Sequence, residues 1–188
     1  MESTIYRLKV TLRGSRPPIW RRIEVRSDMT LFQLHEVIQL AMGWTNSHLH
    51  QFRRGSTYYG PANPDLDMPQ QNENRVLLNG VLGKPKDRMA YEYDFGDGWE
   101  HDIVLERSSA GLPDTPQIRV IGGKGACPLE DVGGIGGYYD FLEAIKDPAH
   151  PEHDDMLEWC GGAFDPNAFD FEEVNQYFRA RTRRRKDA

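Results

Sequence analysis

Hydrophobic and polar positions alternate strictly near the start of the chain. Over residues 5–13, Tyr6, Leu8, Val10 and Leu12 face one way, and Arg7, Lys9, Thr11 and Arg13 the other. Period-two alternation predicts a half-buried strand. Residues 14–18 read as a turn, and Ile19, Ile23 and Val25 mark a second strand, so residues 5–26 form a hairpin. Trp20, Arg21 and Arg22 lie on that second strand and read as an exposed face with snorkelling arginines.

A helical period follows. Leu31, Leu34, Val37, Ile38, Ala41 and Met42 form an apolar stripe with His35 beside it. Thr30 is placed as N-cap, Gln33 completes a capping box, and Gly43 stops the helix. In residues 44–52, a strand would put His48 and His50 on one side and Leu49 on the other. Residues 56–75, rich in Gly, Pro, Asn and Gln, read as a long surface loop. Residues 76–82 read as one or two helical turns.

The densest patterning lies in residues 91–105. Tyr91, Tyr93 and Phe95 alternate with Glu92 and Asp94, then Trp99, His101, Ile103 and Leu105 alternate with Glu100, Asp102 and Val104. A hairpin with a three-residue loop, 96–98, pairs Phe95 with Trp99 and Tyr93 with His101 and gathers the aromatics on one face. The cost falls on the other face, where Asp94 opposes Glu100 and Glu92 opposes Asp102. Like charges opposite one another destabilise a sheet, so this face is either well solvated or served by a cation.

Residues 108–116 read as a turn region and 118–121 as a short strand. The Gly-rich passage 122–137 opens into a helix over 138–146 with Phe141, Leu142 and Ile145 inward. It matches neither a P-loop nor a dinucleotide fingerprint. A helix is predicted over 152–159, a turn at Asp165-Pro166, and a last helix capped by Asp170 with Phe171, Val174, Tyr177 and Phe178 as its stripe.

The 188 residues suit one α+β domain over residues 1–178, with antiparallel hairpins packed against a few helices, and a basic tail over 179–188. The tail reads as a frayed, solvated terminus. A net charge of −6 argues against whole-surface nucleic-acid binding. There is no span-length apolar run and no signal-peptide core, and two cysteines make no disulfide framework. The expected setting is a reducing cytoplasm without membrane attachment.

Three function classes follow from these residues. A binding module for a protein or peptide partner would use Trp20, Arg21, Arg22 and Trp44, and this reading is placed first because no nucleophile–base pair is spelled out by spacing. A metal-dependent hydrolase would draw ligands for a divalent ion from His48, His50, Asp94, Asp97, Glu100 and His101, a mixed imidazole and carboxylate set that suits zinc, manganese or iron. In the hairpin register above, however, His101 points away from Asp94. A nucleic-acid accessory protein would use the basic first hairpin and the tail; net acidity disfavours it.

Several passages taken together resemble the plasmid pRiA4b ORF-3-like family, also described as insertion-element passenger or TnpR-like proteins. They are residues 6–12, 18–23, 34–44, 48–52, 91–101, 127–134 and 164–169, so the resemblance spans roughly residues 5–178. It implies a single compact, roll-like α+β domain and an association with plasmids or mobile elements, and it brings no established activity. It brings no assigned catalytic residues. A resolvase would need a nucleophilic serine among clustered arginines; Ser3 precedes the first strand, and Arg21 and Arg22 alone do not build that site.

Overall fold

The computed structural model describes residues 4–61, 70–111 and 117–186, with side chains to residue 180. The alternation at the N-terminus forms Thr4–Leu12 (β1) and Trp20–Arg26 (β2), paired antiparallel with Leu8 opposite Ile23. Helix Leu31–Met42 (α1) has both halves of the capping box, and Gly43 ends it at φ 96°. All six residues of its stripe are buried. A cap stabilises by about 1 kcal/mol, and each large buried apolar side chain by about 1.5–3 kcal/mol, so burial against the sheet holds this helix.

Strands His50–Arg54 (β3) and Thr57–Gly60 (β4) form a second hairpin. Gln71–Asn72 (β5) adds parallel to β4. The expected loop over 56–75 is therefore partly sheet, and its residues 62–69 lie outside the described residues. One turn of helix, Leu78–Val81 (α2), leads to Arg88–Tyr93 (β6) and Trp99–Ala110 (β7). The expected turn over 108–116 starts later than predicted because β7 runs on; residues 112–116 are again outside the described set. Ile118–Lys124 (β8) completes one eight-stranded sheet of order β5-β4-β3-β6-β7-β1-β2-β8.

Three helices follow: Gly134–Lys146 (α3), His153–Trp159 (α4) and Phe171–Lys186 (α5). Helix α3 starts four residues earlier than predicted and buries Tyr138, Phe141 and Ala144; Leu142 and Ile145 are only half-buried. The backbone of α5 continues to Lys186, so most of the basic tail is helical rather than frayed. Phe171 and Tyr177 of its predicted stripe are exposed, whereas Asn175 and Phe178 are buried. The reason lies at the sheet edge. The Asn175 amide accepts from Val120 N (2.8 Å) and donates to Val120 O (2.8 Å), standing in for the strand that β8 lacks on its outer side.

The central hairpin shows a register correction. Tyr93 opposes Trp99, Tyr91 opposes His101, and Met89 opposes Ile103. The turn spans residues 94–98, closed by Gly98 N to Asp94 O at 2.7 Å. Asp94 takes φ 57°, and its Oδ1 accepts from Gly96 N (2.9 Å) and Asp97 N (3.4 Å), an Asx turn that the three-residue loop left out. The slip is two residues, so the faces are unchanged: Tyr91, Tyr93, Trp99, His101 and Ile103 are buried, but Phe95 leaves the strand and is exposed. Asp94 leaves the carboxylate face, and Glu92 opposes Glu100 instead. The cation that this face requires is Arg13, which bonds Glu100 and, at 2.7 Å, Asp102; Gln51 Nε2 donates to Glu92 at 2.6 Å.

Arg21 is the other correction. It is fully buried, not on an exposed face, because it shares strand parity with the buried Ile23 and Val25. Its guanidinium donates to Ala41 O (2.8 Å), Trp20 O (3.0 Å) and Lys124 O (3.2 Å), and stacks 3.7 Å from the Phe169 ring centre. Burial pushes its pKa down to about 10. Cys127 and Cys160 are free thiols, and burial pushes the Cys127 thiol well up, so it stays protonated. Among the described residues no helix is long and apolar enough to cross a membrane.

Candidate functional site

Antiparallel pairing of β3 with β6 puts the entry to β3 beside the exit from β6, with His50 opposite Tyr93. Residues 44–49 therefore meet the turn 94–98, and Asp94 N donates to Leu49 O at 2.8 Å. The passage between β8 and α3 closes over both. Trp44 Nε1 donates to Pro128 O (3.1 Å), and Glu130 accepts from Thr45 N (3.3 Å), the Thr45 hydroxyl and the Tyr93 hydroxyl. Tyr93 Oη in turn accepts from Ser47 N at 3.0 Å. Burial and the neighbouring Glu130 raise the Tyr93 pKa, keeping the phenol a donor. On the far side, Gly133 N donates to Asp97 Oδ2 (3.2 Å). Gly134, at φ 68°, lies so close to Asp97 O that a Cβ would stand 2.4 Å from it.

This convergence brings together His48, Asp94 and Asp131. His48 Nε2 is 3.2 Å from Asp131 Oδ1 and 3.7 Å from Asp94 Oδ2, and one ligand atom from each residue lies within 4.8 Å of the other two. Asp94 is buried, His48 half-buried and Asp131 exposed. Asp94 Oδ1 is committed to the Asx turn, which leaves Oδ2 facing His48. Among the described residues, three of the four non-glycine residues with positive φ sit on these loops: Asn46 (60°), Asp94 (57°) and Asp131 (62°). Such conformations cost about 1–3 kcal/mol each and persist where the surroundings hold them.

Two ligand atoms each about 2.1 Å from an ion stand about 3–4 Å apart. Both His48 contacts fall in that range, and the ligand atoms of Asp94 and Asp131 lie within 4.8 Å of each other. The donor set, one imidazole and two carboxylates, suits Zn²⁺, Mn²⁺ or Fe²⁺.

The other expected ligands lie elsewhere. His50 points into the core; its Nε2 is 2.9 Å from Glu73 Oε2, and its ring stacks on His35 at 3.4 Å and 3°. His48 precedes β3 rather than lying in it, so the two histidines do not share a strand face. Asp97 binds Gly133, Glu100 binds Arg13, and His101 is buried against Trp44 and Tyr91. Of the expected binding residues, Arg21 and Trp44 are core. Trp20 and Arg22 remain on the open sheet face, where Arg22 Cζ lies 4.9 Å and Lys9 Nζ 5.3 Å from the Trp20 ring centre, and Arg22 pairs with Glu106. Sequence reasoning missed Asp131, Glu130 and Glu73. The acidic pair beside Gly133-Gly134 was the available signal for the first two; Glu73, in a polar run, carried none.

Comparison with known proteins agrees with the fold. The family model for plasmid pRiA4b ORF-3-like proteins matches residues 4–173. An uncharacterised protein of Sinorhizobium fredii is 42% identical over 178 residues, covering 94% of this chain and 91% of that relative. The crystal structure of a protein of unknown function from Methanosarcina mazei Go1 superposes with a TM-score of 0.85 at 32% identity, covering 93% of this chain and 99% of that one.

Proposed function

This chain belongs to the plasmid pRiA4b ORF-3-like family, and we propose that it is a binding module centred on a divalent metal ion held by His48, Asp94 and Asp131. The observation that carries this reading is the meeting of those three side chains from three separate loops, with one ligand atom of each within 4.8 Å of the other two. The partner is a protein or peptide. Leu49 and Phe95, 49% and 43% exposed, directly follow His48 and Asp94, so an apolar side chain and a donor to the ion can be engaged together. Residues 44–49, 94–98 and 130–134 hold Asp94, Asp97, Glu130 and Asp131 but no Lys or Arg. That charge repels phosphate and disfavours nucleic acid. Association with plasmids or mobile elements rests on the family's description alone.

A second reading is metal-dependent hydrolysis. Three protein ligands leave coordination positions open, and an ion held so activates water as a nucleophile.

Thermal unfolding with added Zn²⁺ or Mn²⁺ tests the metal. At one hundred times Kd an ion bound only by the folded state stabilises by about 2.7 kcal/mol, which is a rise in Tm of about 5–10 °C for a chain of this size. The rise should vanish in Asp94→Asn. No rise with either ion would overturn the reading.

A further inference from the structure

Residues 44–49 are anchored at several points: Trp44 to Pro128, Thr45 to Glu130, Ser47 and the His48 backbone to the Tyr93 hydroxyl, and Leu49 to Asp94. One anchor comes from inside the core. His35 Nε2 is 2.8 Å from Asn46 Oδ1, His35 Nδ1 is 2.8 Å from Tyr91 Oη, and Gln39 Nε2 is 3.0 Å from the same Tyr91 oxygen. The direction of this chain is fixed at both ends. An amide nitrogen only donates and an amide oxygen only accepts. Gln39 therefore donates to Tyr91, Tyr91 donates to His35 Nδ1, and His35 donates from Nε2 to Asn46. His35 is the neutral Nε2–H tautomer. It has no exposed surface, and the His50 ring lies flat against it, itself held by the buried Glu73. Burial first, and His50 second, push the His35 pKa down to about 3, so the ring does not change charge at working pH.

We infer that His35 is a positioning residue for the metal site: through Asn46 it holds residues 44–49 in the conformation that aims His48 at Asp94 and Asp131. The inference rests on reading His48 as a ligand. Asn46 is at φ 60°, a left-handed backbone that its amide contact with His35 helps to hold. It lies two residues before His48, so its amide contact adds to the Ser47 and Leu49 anchors in setting where that imidazole points. His50, expected as a ligand, instead clamps the ring that orients one.

The test measures Mn²⁺ affinity by electron paramagnetic resonance in the full chain, with far-UV circular dichroism confirming the fold of each variant. His35→Phe keeps a ring over His50 and removes both hydrogen bonds. Asn46→Gly keeps the left-handed backbone and removes the acceptor. Each should weaken Mn²⁺ binding about tenfold or more, as loss of residues behind metal ligands does. The double variant should be no weaker than the worse single, because both act through one contact. His35→Gln, which presents one acceptor and one donor in a planar group, should recover most of the affinity. A folded His35→Phe that binds Mn²⁺ as the parent does, or single effects that add in the double, would overturn the inference. A metal-free measurement separates it from the metal reading. The His48 and Tyr93 rings are 5.9 Å apart, and their nuclear Overhauser effect should be lost in His35→Phe whether or not the parent binds Mn²⁺. Its persistence would refute the positioning role even if metal binds.

Discussion

Lowering the pH from 7 to 5 should expose the cost of burying His101. The ring has no accessible surface, packs edge-on to Trp44 at 5.3 Å and lies 5.5 Å from Tyr91. Among the described residues neither ring nitrogen has a well-aligned hydrogen-bond partner. Burial pushes its pKa down to about 4; the backbone of Tyr91 and Trp99 offsets part of this, and the Arg21 and Arg13 cations add to it. The folded state therefore keeps the ring neutral at pH 5, whereas the unfolded chain takes up a proton near pH 6.5. The unfolded state binds more protons, so stability rises with pH in this window and falls as the solution is acidified. Between pH 7 and 5 the loss is about 2 kcal/mol for one such histidine. That figure depends on the unfolded value and not on how far below 5 the folded value lies. His35, with a pKa of about 3, adds a similar amount. Urea unfolding followed by tryptophan fluorescence at pH 7 and 5 gives both free energies. His101→Phe keeps an aromatic ring in place and removes the titration, so its loss between the two pH values should be about 2 kcal/mol smaller than the parent's. Equal losses in parent and variant would refute the reasoning, because His101 would then share one protonation state in the folded and unfolded chains.

Gly134→Ala should destabilise by about 2–3 kcal/mol, from left-handed backbone and from a Cβ 2.4 Å from Asp97 O; urea midpoints read the loss, and Mn²⁺ affinity should fall with it. Asn175→Leu leaves Val120 N–H and C=O without the amide that pairs them. It should cost about 2–4 kcal/mol and speed hydrogen exchange at the Val120 amide.

The sheet was largely legible because strand parity is a local property. Tyr6 to Leu12 and Tyr91 to Ile103 sort onto their correct faces even where pairing slips by two, since a slip of two preserves the faces. The slip itself depended on Asp94 folding its side chain onto Gly96 and Asp97, a choice between two plausible turns that pattern alone does not make. Arg21 was also legible by parity, but its charge argued for exposure; three carbonyls and the Phe169 ring supply what a carboxylate would. The site was half legible. His48 and Asp94 stand out as ligand types, yet Asp131 reaches them only because β3 pairs with β6 and the passage before α3 crosses both loops. Those are contacts between residues 37 or more positions apart, and no spacing encodes them. His50 failed as a ligand for the converse reason: its partner, Glu73, comes from the end of a segment without periodicity.

The central claim is that His48, Asp94 and Asp131 form a metal site. Its most direct test is a crystal grown with Zn²⁺, with diffraction recorded on both sides of the zinc absorption edge. The account predicts an anomalous peak about 2.0–2.2 Å from His48 Nε2, Asp94 Oδ2 and Asp131 Oδ1 together. A map with no peak there, and with His48 still in direct contact with Asp131, would contradict it.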